Sequence, residues 1–110
     1  MRLNRYINEA KGIKVWLDDE RPAPKGWVHI DNVPELIKFY EKNYRNITQM
    51  SLDHDLGENT PEGYKFLTWL EKKILQDGVY TSIPEIRVHS ANPVGKKRME
   101  QTIQSIKRHL

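Results

Sequence analysis

Apolar positions along the chain alternate between a helical and an extended rhythm. Leu3, Tyr6, Ile7 and Ala10 follow an i, i+3, i+4, i+7 spacing, which predicts a short amphipathic helix over residues 2–10 ending near Lys11-Gly12. Ile13 to Leu17 is a compact β-branched and aromatic run stopped by Asp18-Asp19, as in a buried strand whose carboxyl end emerges into solvent. Two Pro and one Gly between Asp19 and Gly26 forbid a regular helix and predict a loop. Trp27 to Ile30 is then a short strand. Asn32 with Glu35 three residues on resembles a capping box, and Val33, Leu36, Ile37, Tyr40 and Tyr44 form the apolar stripe of a helix over about 33–45.

The second half repeats the alternation. Ile47 to Leu52 predicts a strand that runs into Asp53-His54-Asp55. Thr60 as N-cap and Pro61 at the first helical position open a helix to about Gln76, with Leu67, Leu70 and Ile74 inward and Asp77-Gly78 as its stop. Glu85 to His89 is the next strand. Asn92 and Pro93 then begin a last helix whose inner face is Met99, Ile103, Ile106 and Leu110. Strands separated by helices imply parallel pairing through right-handed crossovers, hence an α/β fold with a small open parallel sheet of about four strands. Ligands of such sheets bind beyond the carboxyl ends of the strands.

At 110 residues the chain is sized for one hydrophobic core, so we expect one domain over residues 1–110, with 1–12 as a helical extension. Charged residues at 30% against 37% hydrophobic, with three Trp, five Tyr and two Phe, describe a soluble globular chain and exclude disorder and membrane spans. The N-terminus lacks a signal-peptide core, and the absence of Cys removes disulfide-linked partners, thiolate zinc sites and Cys nucleophiles. The cytoplasm is the expected compartment. The net charge of +3 is unevenly spread: residues 1–14 hold four basic and one acidic side chain, 91–110 five and one, and the stretch between nine against thirteen. The basic ends suit either solvated helix faces or a polyanionic ligand.

Three strands each end in carboxylate, imidazole or hydroxyl residues: Asp18-Asp19, Asp53-His54-Asp55 and His89-Ser90 with Asn92. One such residue satisfies a turn, so the coincidence of three clusters predicts a shared site. Carboxylates gathered there repel one another unless a cation, a proton or a basic side chain intervenes, and Arg21 is the nearest base in sequence. Asp18, Asp19, Asp53 and Asp55 are candidate ligands for a hard ion such as Mg²⁺ or Mn²⁺, exchangeable and not needed for folding. His54 and His89, with Asp53, equally allow a metal-free acid–base mechanism. Ser90 to Gly95 opens the last helix, where unpaired N–H groups favour an anion; Ser90, Asn92, Gly95 and Lys96, with Lys97 beside them, are candidate phosphate contacts alongside Arg21.

Three blocks, Lys14-Val15-Trp16-Leu17-Asp18-Asp19-Glu20-Arg21-Pro22, Leu52-Asp53-His54-Asp55-Leu56-Gly57 and Val88-His89-Ser90-Ala91-Asn92-Pro93-Val94-Gly95, resemble the cyclic-phosphate processing receiver-like family, an offshoot of response-regulator receivers. The resemblance implies a truncated receiver-like, flavodoxin-like sheet in the order 2-1-3-4. It aligns Asp18 and Asp19 with the receiver's acidic pair, Asp53 with the phosphoacceptor, Gly63 with the glycine opening the next helix and Ser90 with the hydroxyl residue after the fourth strand. Two departures argue against phosphorelay: the 19–26 loop replaces the first receiver helix, and the chain ends before a fifth strand with its phosphate-binding Lys. The implied activity is a phosphoesterase that processes cyclic phosphates of nucleotides or RNA ends. The alternative is a degenerate receiver that binds a ligand or partner without catalysis, and an RNA-binding accessory domain ranks last because no interleaved aromatic and basic motif accompanies the basic ends.

Overall fold

The computed structural model describes residues 12–53 and 62–110. Its elements are β1 (Ile13–Leu17), β2 (Val28–Ile30), α1 (Val33–Asn43), a 3₁₀ turn (Tyr44–Asn46), β3 (Ile47–Leu52), α2 (Glu62–Leu75), β4 (Glu85–Val88) and α3 (Pro93–Arg108). The predicted helix over residues 2–10 and the Thr60-Pro61 helix start lie outside the described residues. The four strands form one parallel sheet in the order β2-β1-β3-β4, so the fold is the receiver-like α/β arrangement expected from the motifs.

Register aligns the strands so that their carboxyl ends are flush: Leu17 pairs with both Ile30 and Leu52, and Leu52 with Val88. Because side chains alternate along each strand, this register divides the sheet into two chemically different faces. Val15, Leu17, Met50, Leu52, Ile86 and Val88 share one face and are buried. They pack with Leu36 and Tyr40 of α1, Phe66, Leu67 and Leu70 of α2, and Met99, Ile103 and Ile106 of α3 in one core. Right-handed crossovers from β2 to β3 and from β3 to β4 place α1 and α2 on this same side. Tyr40 ties the helices together, its ring edge-on to Phe66, Trp69 and Tyr80 at 5.5, 6.0 and 5.2 Å.

The opposite face carries Lys14, Trp16, Gln49, Ser51, Glu85 and Arg87. Among the described residues, the β1–β2 loop lies over it. Trp16 Nε1 donates to the Arg21 carbonyl at 3.2 Å, and Trp27 meets the Trp16 ring edge-on at 6.1 Å. Gly26, at φ +88°, permits the reversal that brings Trp27 back, and the Trp27 N–H donates to Pro24 O. That hydrogen bond makes Trp27 the close of a turn, so β2 begins one residue later than its sequence pattern suggests.

Asn32 caps α1, accepting the Glu35 N–H at 2.9 Å, and Asn92 caps α3 in the same way from Gly95 at 3.0 Å. The stripe of α1 extends two residues past the α-helix because its last turn tightens to 3₁₀, with Asn43 Nδ2 donating to Phe39 O. Leu110, predicted on the inner face of the last helix, follows the helix end and is 46% exposed. The chain breaks α2 where expected, through Gly78 at φ +62°.

Gly63 sits where α2 starts beside the end of β3. A Cβ there would collide with the Asp53 carbonyl and lie 2.8 Å from the Met99 terminal methyl. Replacing a helical Gly by Ala contributes up to about 1 kcal/mol of helix propensity, whereas overpacking costs about 1–3 kcal/mol. The obstructing atom is backbone, so the clash dominates. We therefore expect Gly63→Ala to lower the urea midpoint of unfolding; a raised midpoint would show that α2 can shift away from β3 without cost.

Candidate active site

The residue following each long strand remains tied to its neighbour by one more ladder hydrogen bond. Asp18 N–H donates to Ile30 O at 3.1 Å, Asp53 N–H to Leu17 O at 3.0 Å and His89 N–H to Leu52 O at 2.9 Å. Each of these residues is two places beyond a member of the polar face: Trp16, Ser51 and Arg87. Period-two alternation thus directs Asp18, Asp53 and His89 to the same side of the sheet. One ligand atom from each lies within 4.8 Å of the others.

Asp18 is fully buried, a costly place for a carboxylate unless its oxygens are satisfied. Oδ1 accepts the Glu20 and Arg21 N–H groups at 2.8 and 2.9 Å, which folds the start of the loop into a turn around the carboxylate. His29 Nε2 lies 2.7 Å from the Asp18 carbonyl and ties β2 to the same turn. His89 Nε2 lies 3.0 Å from Asp18 Oδ2, and its Nδ1 lies 2.7 Å from Ser51 Oγ. Burial alone would push the Asp18 carboxyl up, but the Arg21 and Glu20 amides and the His89 ring outweigh it and hold the group below the usual carboxylate range. Burial pushes His89 below the usual imidazole range, assisted by the Arg21 guanidinium and opposed by Asp18 and Asp53. An ionised Asp18 can only accept, so neutral His89 donates its Nε2–H there and accepts the Ser51 hydroxyl at Nδ1. The His89 ring also stacks on Trp16, with centroids 3.7 Å apart and planes 7° from parallel.

Of the residues singled out from sequence, Asp18, Asp53 and His89 converge, and Arg21 is near enough for its charge to act on His89. Asp19 is exposed and stands outside the group, since it begins the loop one residue beyond the face-sharing position. His54 and Asp55 lie outside the described residues. Ser90 Oγ accepts the Asn92 N–H at 3.1 Å, and the Gly95 N–H goes to Asn92 Oδ1, so this helix start is partly satisfied from within. Lys96 lines the groove between β4 and α3 with Val88 and Glu100. Ser51 and Trp16 were not anticipated as site residues. The available signal was parity: both precede an acidic strand-end residue by two positions, and Ser51 is a buried hydroxyl in an otherwise apolar strand end.

Two carboxylates and one imidazole form a donor set suited to a divalent ion, and the nitrogen favours Mn²⁺ over Mg²⁺. His89, held neutral by burial, is in the protonation state that a ligand requires. If its Nε2 were taken by a cation, Nδ1–H would donate to Ser51 Oγ, which can accept as readily as donate.

A parallel 2-1-3-4 sheet with an acidic group at the ends of its two central strands defines a receiver-like domain. The chain belongs to the cyclic-phosphate processing receiver domain family, whose family model matches residues 13–105. No match was found among curated proteins or among solved structures.

Both shifted groups make stability fall on acidification, by the same sign argument. The unfolded chain protonates His at about 6.5, whereas folded His89 resists protonation to a lower pH. The unfolded state therefore gains protons first, and stability declines below that value. Asp18, depressed when folded, contributes stability that is present above the unfolded carboxylate pKa and lost as pH falls through its folded value. Urea midpoints measured against pH are expected to drop in two stages. His89→Gln should remove the upper stage and Asp18→Asn the lower; a wild-type midpoint unchanged between neutral pH and the carboxylate range would contradict both assignments.

Proposed function

We propose that the protein is a phosphoesterase that opens cyclic phosphates of nucleotides or RNA ends by acid–base chemistry at the Asp18–Asp53–His89 group. The observation that carries this reading is the meeting of those three side chains within 4.8 Å, joined to membership of a family described as cyclic-phosphate processing.

Hydrolysis adds one water across a P–O bond: the water oxygen attacks phosphorus, one ribose oxygen departs, and that oxygen takes a proton. His89 suits the proton-donor role, because its Nε2 carries the hydrogen and a substrate oxygen can replace Asp18 Oδ2 as acceptor. Asp18 then stabilises the ring through the proton cycle, and Ser51 holds its tautomer. The sequence supplies a second imidazole, His54, directly after Asp53, as the base for water. Arg21 and the start of α3, with Ser90, Asn92, Gly95 and Lys96, are the contacts proposed for the phosphoryl oxygens. Asp18 and Asp53, with His89 or their sequence neighbours Asp19 and Asp55, are proposed to hold a divalent ion such as Mg²⁺ or Mn²⁺. When bound, such an ion would neutralise charge on the phosphoryl group.

The test incubates the protein with 2′,3′-cyclic and 3′,5′-cyclic nucleotides, with and without Mg²⁺ or Mn²⁺, and follows linear products. We expect turnover on at least one class. His89→Ala and His54→Ala should each reduce it by roughly 10²-fold or more, the scale of lost proton transfer, with Asp53→Asn comparably harmful. Acetyl phosphate should leave no stable phosphoryl group on Asp53. A receiver's sheet order favours one competing outcome, the degenerate receiver. Stable phosphorylation of Asp53 with no turnover and no effect of either His substitution would establish it and overturn the phosphoesterase.

A further inference from the structure

β4 pairs with β3 on one side and forms an edge of the sheet on the other. In a parallel ladder, residues whose N–H and C=O face one neighbour alternate with residues that face away. His89 N–H points to Leu52 O, so Arg87 and Glu85 share that orientation, and Ile86 and Val88 direct their peptide groups to the open edge. Beside this edge runs a groove between β4 and α3. Ile86, Val88 and Ile103 contribute apolar surface to it, with Lys96, Glu100 and Lys107 around them. On the opposite face of the strand, Glu85 and Arg87 are exposed and bound to each other at 2.8 Å.

Edges that must stay unpaired are defended by like charge, Pro or a bulge. Here the two charges are opposite in sign and flank Ile86 symmetrically. Any strand with that pattern is complementary to its own antiparallel copy. We propose that the β4 edge is a self-association surface, on which a second copy of this chain adds its β4 antiparallel about a two-fold axis at Ile86. Ile86 of each copy then exchanges both peptide hydrogen bonds with Ile86 of the other. Glu85 of each copy falls opposite Arg87 of the other, so the charge match occurs twice, as an isologous contact requires. The pair within one strand is solvent-exposed and contributes little, so exchanging it across the interface costs little. The strand is short, and the dimer is accordingly weak and concentration-dependent, with the β4–α3 groove adding apolar burial.

The test is sedimentation equilibrium of the full chain over a wide concentration range, with circular dichroism confirming that each variant is folded. Wild type should associate reversibly to a dimer. Glu85→Arg and Arg87→Glu each put like charges opposite one another at two places, and each should weaken association by roughly tenfold or more. The double exchange Glu85→Arg with Arg87→Glu should restore it. Mixing the two single variants should yield a heterodimer tighter than either homodimer, because every charge on one strand then meets its opposite on the other. A wild type that stays monomeric throughout, leaving the edge to a different occupant, would overturn the proposal. So would association indifferent to the reversals, or a mixture no tighter than its components.

Discussion

The buried carboxylate of Asp18 is the constraint around which this end of the molecule is organised. A charge removed from water must be met by donors, and each donor here fixes a different part of the chain. The Glu20 and Arg21 amides curl the loop over β1, which places the Arg21 carbonyl to accept Trp16 Nε1. The His89 ring arrives from the other side of β3 and is clamped between the carboxylate and Ser51 while lying flat on Trp16. Loop path, tautomer and ring orientation are thus consequences of satisfying one anion. Removing it would leave donors from three segments unpaired, which is more disruptive than losing any single hydrogen bond.

Most of the fold was legible because its signals were local and redundant. β3 and the start of α3 match their predicted limits, one because a β-branched start and apolar run are bracketed by polar residues, the other because Asn92-Pro93 is a strong opening. Strand order followed from crossover handedness together with the motif resemblance. The misplacements were at ends, where a hydrogen bond to Pro24 claimed Trp27 and a 3₁₀ turn claimed Tyr44, and neither event leaves a mark in hydrophobic spacing.

The site was legible in part, and the division is physical. Runs of polar residues after strands announced where chemistry could gather, which captured Asp18, Asp53 and His89. Asp18 could not be told from Asp19 by type; the ladder bond from its own N–H to Ile30 decides which of the two continues the sheet's alternation. Ser51 escaped notice because a single hydroxyl in a strand is ordinary, and its importance depends on a ring from a strand 38 positions away in sequence. Asn92 and Gly95 looked like an anion cradle, yet in the fold they hydrogen-bond to each other. Whether a helix start is open or closed depends on a side-chain rotamer that spacing does not encode.

The two-faced sheet has a consequence for how such a sequence can change over evolutionary time. Along β1, β3 and β4, odd and even positions answer to different demands: one set fills the core under the helices, the other lines the surface that leads to Asp18, Asp53 and His89. Substitutions at Lys14, Gln49, Glu85 or Arg87 therefore alter the approach to that cluster without opening a void beneath α1, α2 or α3. Specificity can drift while stability is held, except at Trp16 and Ser51, where the side chain supports the imidazole directly and the two demands coincide.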